Sequence, residues 1–310
     1  MIVYRELSSL CADLGFSLKH LYTLSNRPEK HYHKVSIPKN SGGFRELTVP
    51  DDELKTVQKR IADVILPIIE ISSYATAYIP GGSPLANAKP HINNNMLLKL
   101  DIRHFFDRIT FSMILGAFSK EIFSDKVAMI LAQICSFRET LPQGAPTSPA
   151  ISNIIMKDFD NAVGAWCRNR GITYTRYCDD MTFSGSFEPN EVMEYVKSEL
   201  AKYGFFINDK KTTVVRDGQK KIVTGIVINE KANTSAIYRR KVRQTMYYCM
   251  KYGIDSHIQK KNITDTKEHY LQKLLGQINF VLSVTPENEE FIKYKCWVTE
   301  NLQNMVNAKR

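Results

Sequence analysis

The six cysteines of this 310-residue chain form no Cys-x-x-Cys pair and no metal-ligand spacing, and its seven histidines add no zinc pattern. Scattered thiols in a long chain argue against a disulfide-stapled scaffold or a zinc module. They fit reduced cysteines and a cytoplasmic setting. No uncharged apolar run approaches the length that spans a bilayer. Met1 to Gly15 carries Arg5, Glu6 and Asp13, so no signal-peptide core is expected there. A protein with no membrane partner is the expectation. Internal repeats and low-complexity tracts are absent, which argues against a solenoid or a tether. Acidic residues are the minority: 42 Lys and Arg face 32 Asp and Glu, for a net charge of +10. A basic balance favours polyanionic partners, nucleic acid first, although an ordinary solvated surface fits the same count.

Hydrophobic spacing outlines the elements. Residues 4–25 read as two short helices, the first ended by Gly15 and the second capped by Ser17. Residues 31–50 read as a hairpin turning at Asn40 to Gly43. A helix is expected over 51–71, with Leu54, Val57, Ile61 and Ile65 on one face. Met96 to Leu100 is a short apolar strand ending in Asp101. Helices are expected over 111–118, 126–134, 150–170 and 191–203. Strands are expected over 173–177, 181–184, 205–207, 212–215 and 222–229. The composition shifts near residue 235. Residues 236–310 hold thirteen Lys and Arg and seven Asp and Glu, so +6 of the net charge lies there. Two helices are expected in that quarter, over 237–251 and 269–284.

Asp179 and Asp180 sit between two strand-like runs, in the turn Tyr177-Cys178-Asp179-Asp180. Adjacent carboxylates repel unless a positive group neutralises them, and hard oxygen ligands suit Mg²⁺. An ordinary polar turn accommodates two aspartates equally well. Asp101, at the end of its own strand beside Phe105-Phe106, offers a third carboxylate. Three carboxylates from two strands can hold two Mg²⁺ about 4 Å apart, the clamp for in-line phosphoryl transfer. Between them lies Leu141-Pro142-Gln143-Gly144-Ala145-Pro146-Thr147-Ser148-Pro149, a loop stiffened by proline and opened by glycine to close backbone approach.

The order of these pieces carries a resemblance. Asp101 with Phe105-Phe106, then the Leu-Pro-Gln-Gly-Ala-Pro-Thr-Ser-Pro loop, then Tyr-Cys-Asp-Asp resemble the palm motifs of reverse transcriptases. Asn87-Ala88-Lys89-Pro90-His91 and Val223-Thr224-Gly225 resemble elements of the retron branch. Cys178 stands where retron enzymes often carry alanine. The resemblance covers roughly residues 17 to 285. It implies an α+β, right-hand polymerase with fingers, an antiparallel palm sheet and a helical basic thumb. The domains expected are an N-terminal helical extension at 1–30, fingers at 31–95, a palm with interleaved fingers elements at 96–235, and an RNA-binding thumb at 236–310.

The resemblance also implies roles. Asp101, Asp179 and Asp180 would hold two Mg²⁺, with the carbonyl of Ile102 as a further ligand. Lys39 and Arg45 would touch the incoming dNTP, Gln143 would pack on it, and Phe106 would exclude a ribose 2′-hydroxyl. Lys211 would protonate the leaving pyrophosphate, with Lys210 as its rival. Asn87, His91, Arg239, Arg240, Lys241, Arg243 and Tyr247 would contact RNA. A solvated hairpin, a core aromatic, a core histidine and helix-packing tyrosines are the plainer readings of Lys39 and Arg45, Phe106, His91 and the tyrosines. The retron resemblance implies a structured noncoding RNA as partner, a branched RNA–DNA product, and antiphage defence with an effector protein encoded nearby. A reverse transcriptase of the group II intron, diversity-generating or CRISPR-associated kind is the first rival. A non-catalytic RNA-binding scaffold is the second.

Overall fold

A computed structural model describes residues 3–38 and 42–307. Helices α1 (Leu7–Leu14) and α2 (Leu18–Asn26) are joined at Gly15, whose φ of 76° ends the first. The Ser17 hydroxyl accepts from His20 N at 3.2 Å and caps the second. Strands β1 (Tyr32–Pro38) and β2 (Phe44–Pro50) pair antiparallel, as the two arms of the expected hairpin; the expected turn at Asn40 to Gly43 falls partly outside the described residues. Helix α3 (Asp52–Val64) is capped by Asp51, which also meets His31 Nδ1 at 2.8 Å. It ends short of the expected Ile71, since Pro67 supplies no N–H and the chain tightens into a 3₁₀ turn.

Helix α4 (Pro84–Ala88) precedes strand β3 (Met96–Asp101). Helices α5 (Phe105–Arg108), α6 (Phe111–Ala117) and α7 (Asp125–Cys135) follow. The single helix expected over 150–170 is two, α8 (Ser148–Ile155) and α9 (Lys157–Arg168), broken at Met156. The first starts early because Pro149 is at home in a first helical turn. Strands β4 (Thr173–Tyr177) and β5 (Asp180–Gly185) and helix α10 (Pro189–Ala201) match expectation within a few residues. The strand expected at 205–207 is only a bridge from Ile207 to Ile102, and β6 (Thr213–Val215) closes the region.

The strand expected over 222–229 folds back on itself. Thr224 (φ 46°) and Gly225 (φ 82°) make a tight turn between β7 (Ile222–Val223) and β8 (Ile226–Val227). Strand β9 (Asn233–Thr234) completes that small sheet. Among the described residues four helices follow rather than two: α11 (Ala236–Tyr252), α12 (Ile254–Lys260), α13 (Lys267–Val284) and α14 (Glu289–Asn307).

The chain forms two compact units. One comprises residues 1–83 and 96–214, the other 84–95 and 215–310. The compact units divide near residue 215, ahead of the composition shift at 235, and residues 84–95 group with the C-terminal unit. Packing explains this. The Thr224 hydroxyl donates to the Pro84 carbonyl at 2.7 Å, and Asn93 N donates to the Ile228 carbonyl at 3.2 Å.

The first unit is built on an antiparallel sheet of order β4-β5-β3-β6. Leu98, Leu100, Met181 and Phe183 of the sheet, Phe159 and Val163 of α9, and Val192 and Val196 of α10 are buried in one core. The second unit buries Val242, Met246 and Cys249 of α11 against Leu271, Ile278 and Val281 of α13 and Phe291 and Val298 of α14. No described helix is long and apolar enough to cross a membrane. All six cysteines are free thiols.

Candidate active site

Sheet register assembles the site. Strand β3 ends at Asp101, which pairs directly with Asp180, the first residue of β5. Asp180 also pairs with Tyr177, the last residue of β4, leaving Cys178 and Asp179 as a two-residue turn. Such a turn needs positive φ at its first position, and Cys178 supplies it at 62°. Ile102 N donates to the Asp179 carbonyl at 2.9 Å, tying the turn to the end of β3. Asn208 N donates to the Asp101 carbonyl at 2.7 Å, so the 205–208 segment closes the other side.

The three carboxylates share one electrostatic environment. Burial raises the pKa of Asp179, and the charge of Asp101 raises it further. Burial raises that of Asp180, with Asp179 and Asp101 adding and Lys99 and Lys211 opposing. Carboxylates that resist ionisation for this reason form a site that a divalent cation would relieve, and their oxygens are the hard donors such ions take. On that chemistry the donor set fits Mg²⁺. Among the described residues no group of three His, Cys, Asp or Glu side chains is gathered closely enough to hold a metal ion. Asp101 is engaged within the protein instead. Its Oδ2 accepts from Lys211 Nζ at 2.6 Å and its Oδ1 from Asn208 Nδ2 at 3.0 Å. Partial burial works against the Lys211 charge, but Asp101, with Asp179 and Asp180 behind it, raises its pKa overall.

Both rival lysines are exposed, and Lys211 is the one whose Nζ is paired with a carboxylate of the site, Asp101. Ile102 is buried beside Asp101. Phe106 is half-buried against Phe105, their ring centroids 5.4 Å apart. Gln143 is half-buried, and its carbonyl accepts from Thr48 N at 3.0 Å, fastening the proline-rich loop to β2. Gly144 (φ 138°) permits that approach, since a Cβ there would lie 2.8 Å from the Thr48 carbonyl oxygen. Arg45 is exposed on β2 opposite Ile37. Lys39 lies outside the described residues.

Several residues expected at RNA are buried or have protein partners. Asn87 and His91 have no exposed surface, and burial lowers the His91 pKa to about 4. They are interior residues of the second unit. Arg239 donates to Asn233 and to the Thr234 carbonyl. Arg243 pairs with Glu290 at 2.7 Å. Arg240 and Lys241 are exposed, and Tyr247 is 52% exposed. Tyr247 belongs to a wider group: Tyr248 stacks on Tyr252 and His257, and Lys251 lies over Tyr247 and Tyr252. A cavity of about 290 Å³ opens there, lined by Tyr248, Tyr252, Ser256, His257 and Lys260.

Sequence reasoning missed Asn208, and it missed Arg176 and Asp160, which lie buried behind the aspartate turn. A charged residue in the middle of the short strand-forming run Thr173–Tyr177 was the available signal for Arg176.

A turn with adjacent aspartates, paired in register to a third on the neighbouring strand, defines a polymerase palm. Residues 37–271 match the family described as reverse transcriptase (RNA-dependent DNA polymerase). The chain is 31% identical to the retron Mx65 reverse transcriptase of Myxococcus xanthus, over 93% of this chain and 70% of that one. It is 30% identical to the retron Ec83 reverse transcriptase of Escherichia coli, over 88% and 89%. A telomerase from Candida albicans, solved with a fragment of telomeric RNA, is similar at a TM-score of 0.47 and 11% identity, over 86% of this chain and 66% of that one. The chain belongs to the reverse transcriptases, RNA-directed DNA polymerases of right-hand fold, and among them to the retron type.

Proposed function

We propose that this reverse transcriptase copies part of its own structured noncoding RNA into DNA by two-metal nucleotidyl transfer, leaving DNA branched from a guanosine 2′-hydroxyl of that RNA. The register of Asp101 against Asp180, with Asp179 in the adjoining turn, is the observation that carries it. Asp101, Asp179, Asp180 and the Ile102 carbonyl would hold two Mg²⁺, which when bound would activate the attacking hydroxyl and offset charge on the triphosphate. Lys211 is the proton donor to pyrophosphate, a role suited to a cation already at the carboxylates. Gln143 and Phe106 bound the dNTP site, and Arg45 reaches its phosphates from β2, a phosphate-binding role assigned also to Lys39 on the family resemblance alone. The fingers extend through the 31–83 region, the palm through 96–214, and the thumb from 215 onward.

Arg240, Lys241 and the Tyr247 group form the RNA-facing surface of the thumb, where cations meet phosphates and rings meet unpaired bases. Retron membership supports the further assignment to cytoplasmic antiphage defence, with an effector protein restrained by the RNA–DNA. The test is expression with the native flanking DNA, followed by extraction of total nucleic acid. A small DNA that shifts on RNase treatment, absent for Asp179→Ala/Asp180→Ala, is expected. Activity on a generic primed RNA without any RNA-linked DNA would remove the retron product and keep the polymerase.

A further inference from the structure

Arg176 sits in the middle of β4 with no exposed surface. Its guanidinium forks onto Asp160 of α9, with Nη2 to Oδ2 at 2.6 Å and Nε to Oδ1 at 2.8 Å. Asp160 is also fully buried, and its Oδ1 accepts from the Tyr174 hydroxyl at 2.8 Å. The remaining arm points elsewhere: Arg176 Nη1 donates to the carbonyl of Cys178 at 2.9 Å. The main chain of Arg176 is clamped as well. Its N–H donates to the Tyr74 carbonyl at 2.8 Å, and its carbonyl accepts from Thr76 N at 2.9 Å and Thr76 Oγ1 at 3.0 Å.

A buried ion pair seldom stabilises a core more than apolar side chains of the same volume, so stability does not account for this one. Geometry does. Cys178 is the positive-φ residue of the aspartate turn, and a non-glycine residue keeps such a conformation only when its surroundings over-determine it. A charge-assisted hydrogen bond to its carbonyl is such a constraint. The next peptide leads directly into Asp179.

We propose that Arg176, oriented by Asp160 and Tyr174, is a positioning residue for nucleotidyl transfer. Through the Cys178 carbonyl it holds the turn in the conformation that aims Asp179 and Asp180 at divalent cations. This rests on the assignment of those carboxylates to metal binding.

The test uses the full chain and Mn²⁺ as probe, with binding followed by electron paramagnetic resonance and turnover on a primed RNA template. Arg176→Met/Asp160→Leu/Tyr174→Phe removes the network without leaving an orphaned polar side chain. It is expected to melt close to the parent. Mn²⁺ affinity and kcat should each fall about tenfold to a hundredfold, with the KM for dNTP little changed. A folded triple variant with parental Mn²⁺ affinity and kcat would overturn the proposal. If the triple variant does not fold, Arg176→Lys decides. One ammonium can meet Asp160 or the Cys178 carbonyl but cannot reproduce the fork, so weakened Mn²⁺ binding is expected and parental binding overturns the proposal. Asp179→Asn, run beside them, should lose Mn²⁺ binding and turnover. If it kept both, the metal assignment itself would fall and the positioning role with it. That pattern differs from a parental triple variant beside an inactive Asp179→Asn.

Discussion

Lys211 Nζ lies 2.6 Å from Oδ2 of Asp101, so the carboxylate at the centre of the palm is already paired with the side chain proposed to protonate pyrophosphate. The ammonium competes with any divalent cation for Asp101. Lys211→Met should therefore bind Mn²⁺ more tightly than the parent while losing turnover by about 10² to 10⁴, the span of a missing general acid. Titration of Mn²⁺ alongside single-turnover dNTP incorporation measures both. Weaker metal binding in the variant would contradict the competition, and parental turnover would remove Lys211 from the chemistry.

Gly144 tests the loop that carries Gln143. Its φ of 138° and the Thr48 carbonyl 2.8 Å from a built Cβ make alanine unwelcome twice over. Gly144→Ala should destabilise the chain by about 1–3 kcal/mol, because the loop must lift from β2. It should also raise the KM for dNTP. Denaturant unfolding and steady-state kinetics check the two effects, and a variant that matches the parent in both would separate the loop from the nucleotide site.

His91 makes stability depend on pH. Buried, its pKa falls to about 4 from 6.5, so between these values the unfolded chain binds the extra proton. Its contribution is fully present above pH 6.5 and is lost as pH falls toward 4, amounting at most to about 3 kcal/mol. Unfolding of the parent and of His91→Gln at pH 7.5 and pH 4.5 should give a stability gap that narrows at the lower pH. A gap independent of pH would mean that the imidazole takes its proton without cost.

In the thumb, Arg240 and Lys241 are exposed, whereas Arg243 is held by Glu290. Arg240→Ala/Lys241→Ala should weaken binding to the cognate RNA and reduce the salt slope by about 0.7–0.9 for each phosphate left without its cation. Arg243→Ala should change the slope less and the thermal midpoint more. The reverse ranking would reassign the RNA face of α11.

The palm is legible because its chemistry is local in sequence: Asp101 closes an apolar strand, and Asp179-Asp180 interrupt two others. Register then does the rest, since pairing Leu100 with Met181 forces Asp101 onto Asp180. Long-range partners are not legible. Nothing in sequence spacing joins Arg176 to Asp160, Asp101 to Asn208, or Thr224 to Pro84. The 222–229 run reads as one strand because Thr224 favours strands, yet Thr224-Gly225 both take positive φ and turn the chain back. Asn87 and His91 read as RNA-contacting residues from motif alone, and spacing does not reveal that both are buried.

The most direct measurement is single-turnover addition of one dNTP to a primed RNA template with Mg²⁺, comparing the parent with Asp101→Asn, Asp179→Asn and Asp180→Asn. Catalysis by the three carboxylates predicts RNA binding retained in all three variants, with incorporation lost in Asp101→Asn and Asp179→Asn and severely reduced in Asp180→Asn. Incorporation at the parental rate in Asp101→Asn or Asp179→Asn, with template bound as tightly as before, would contradict it.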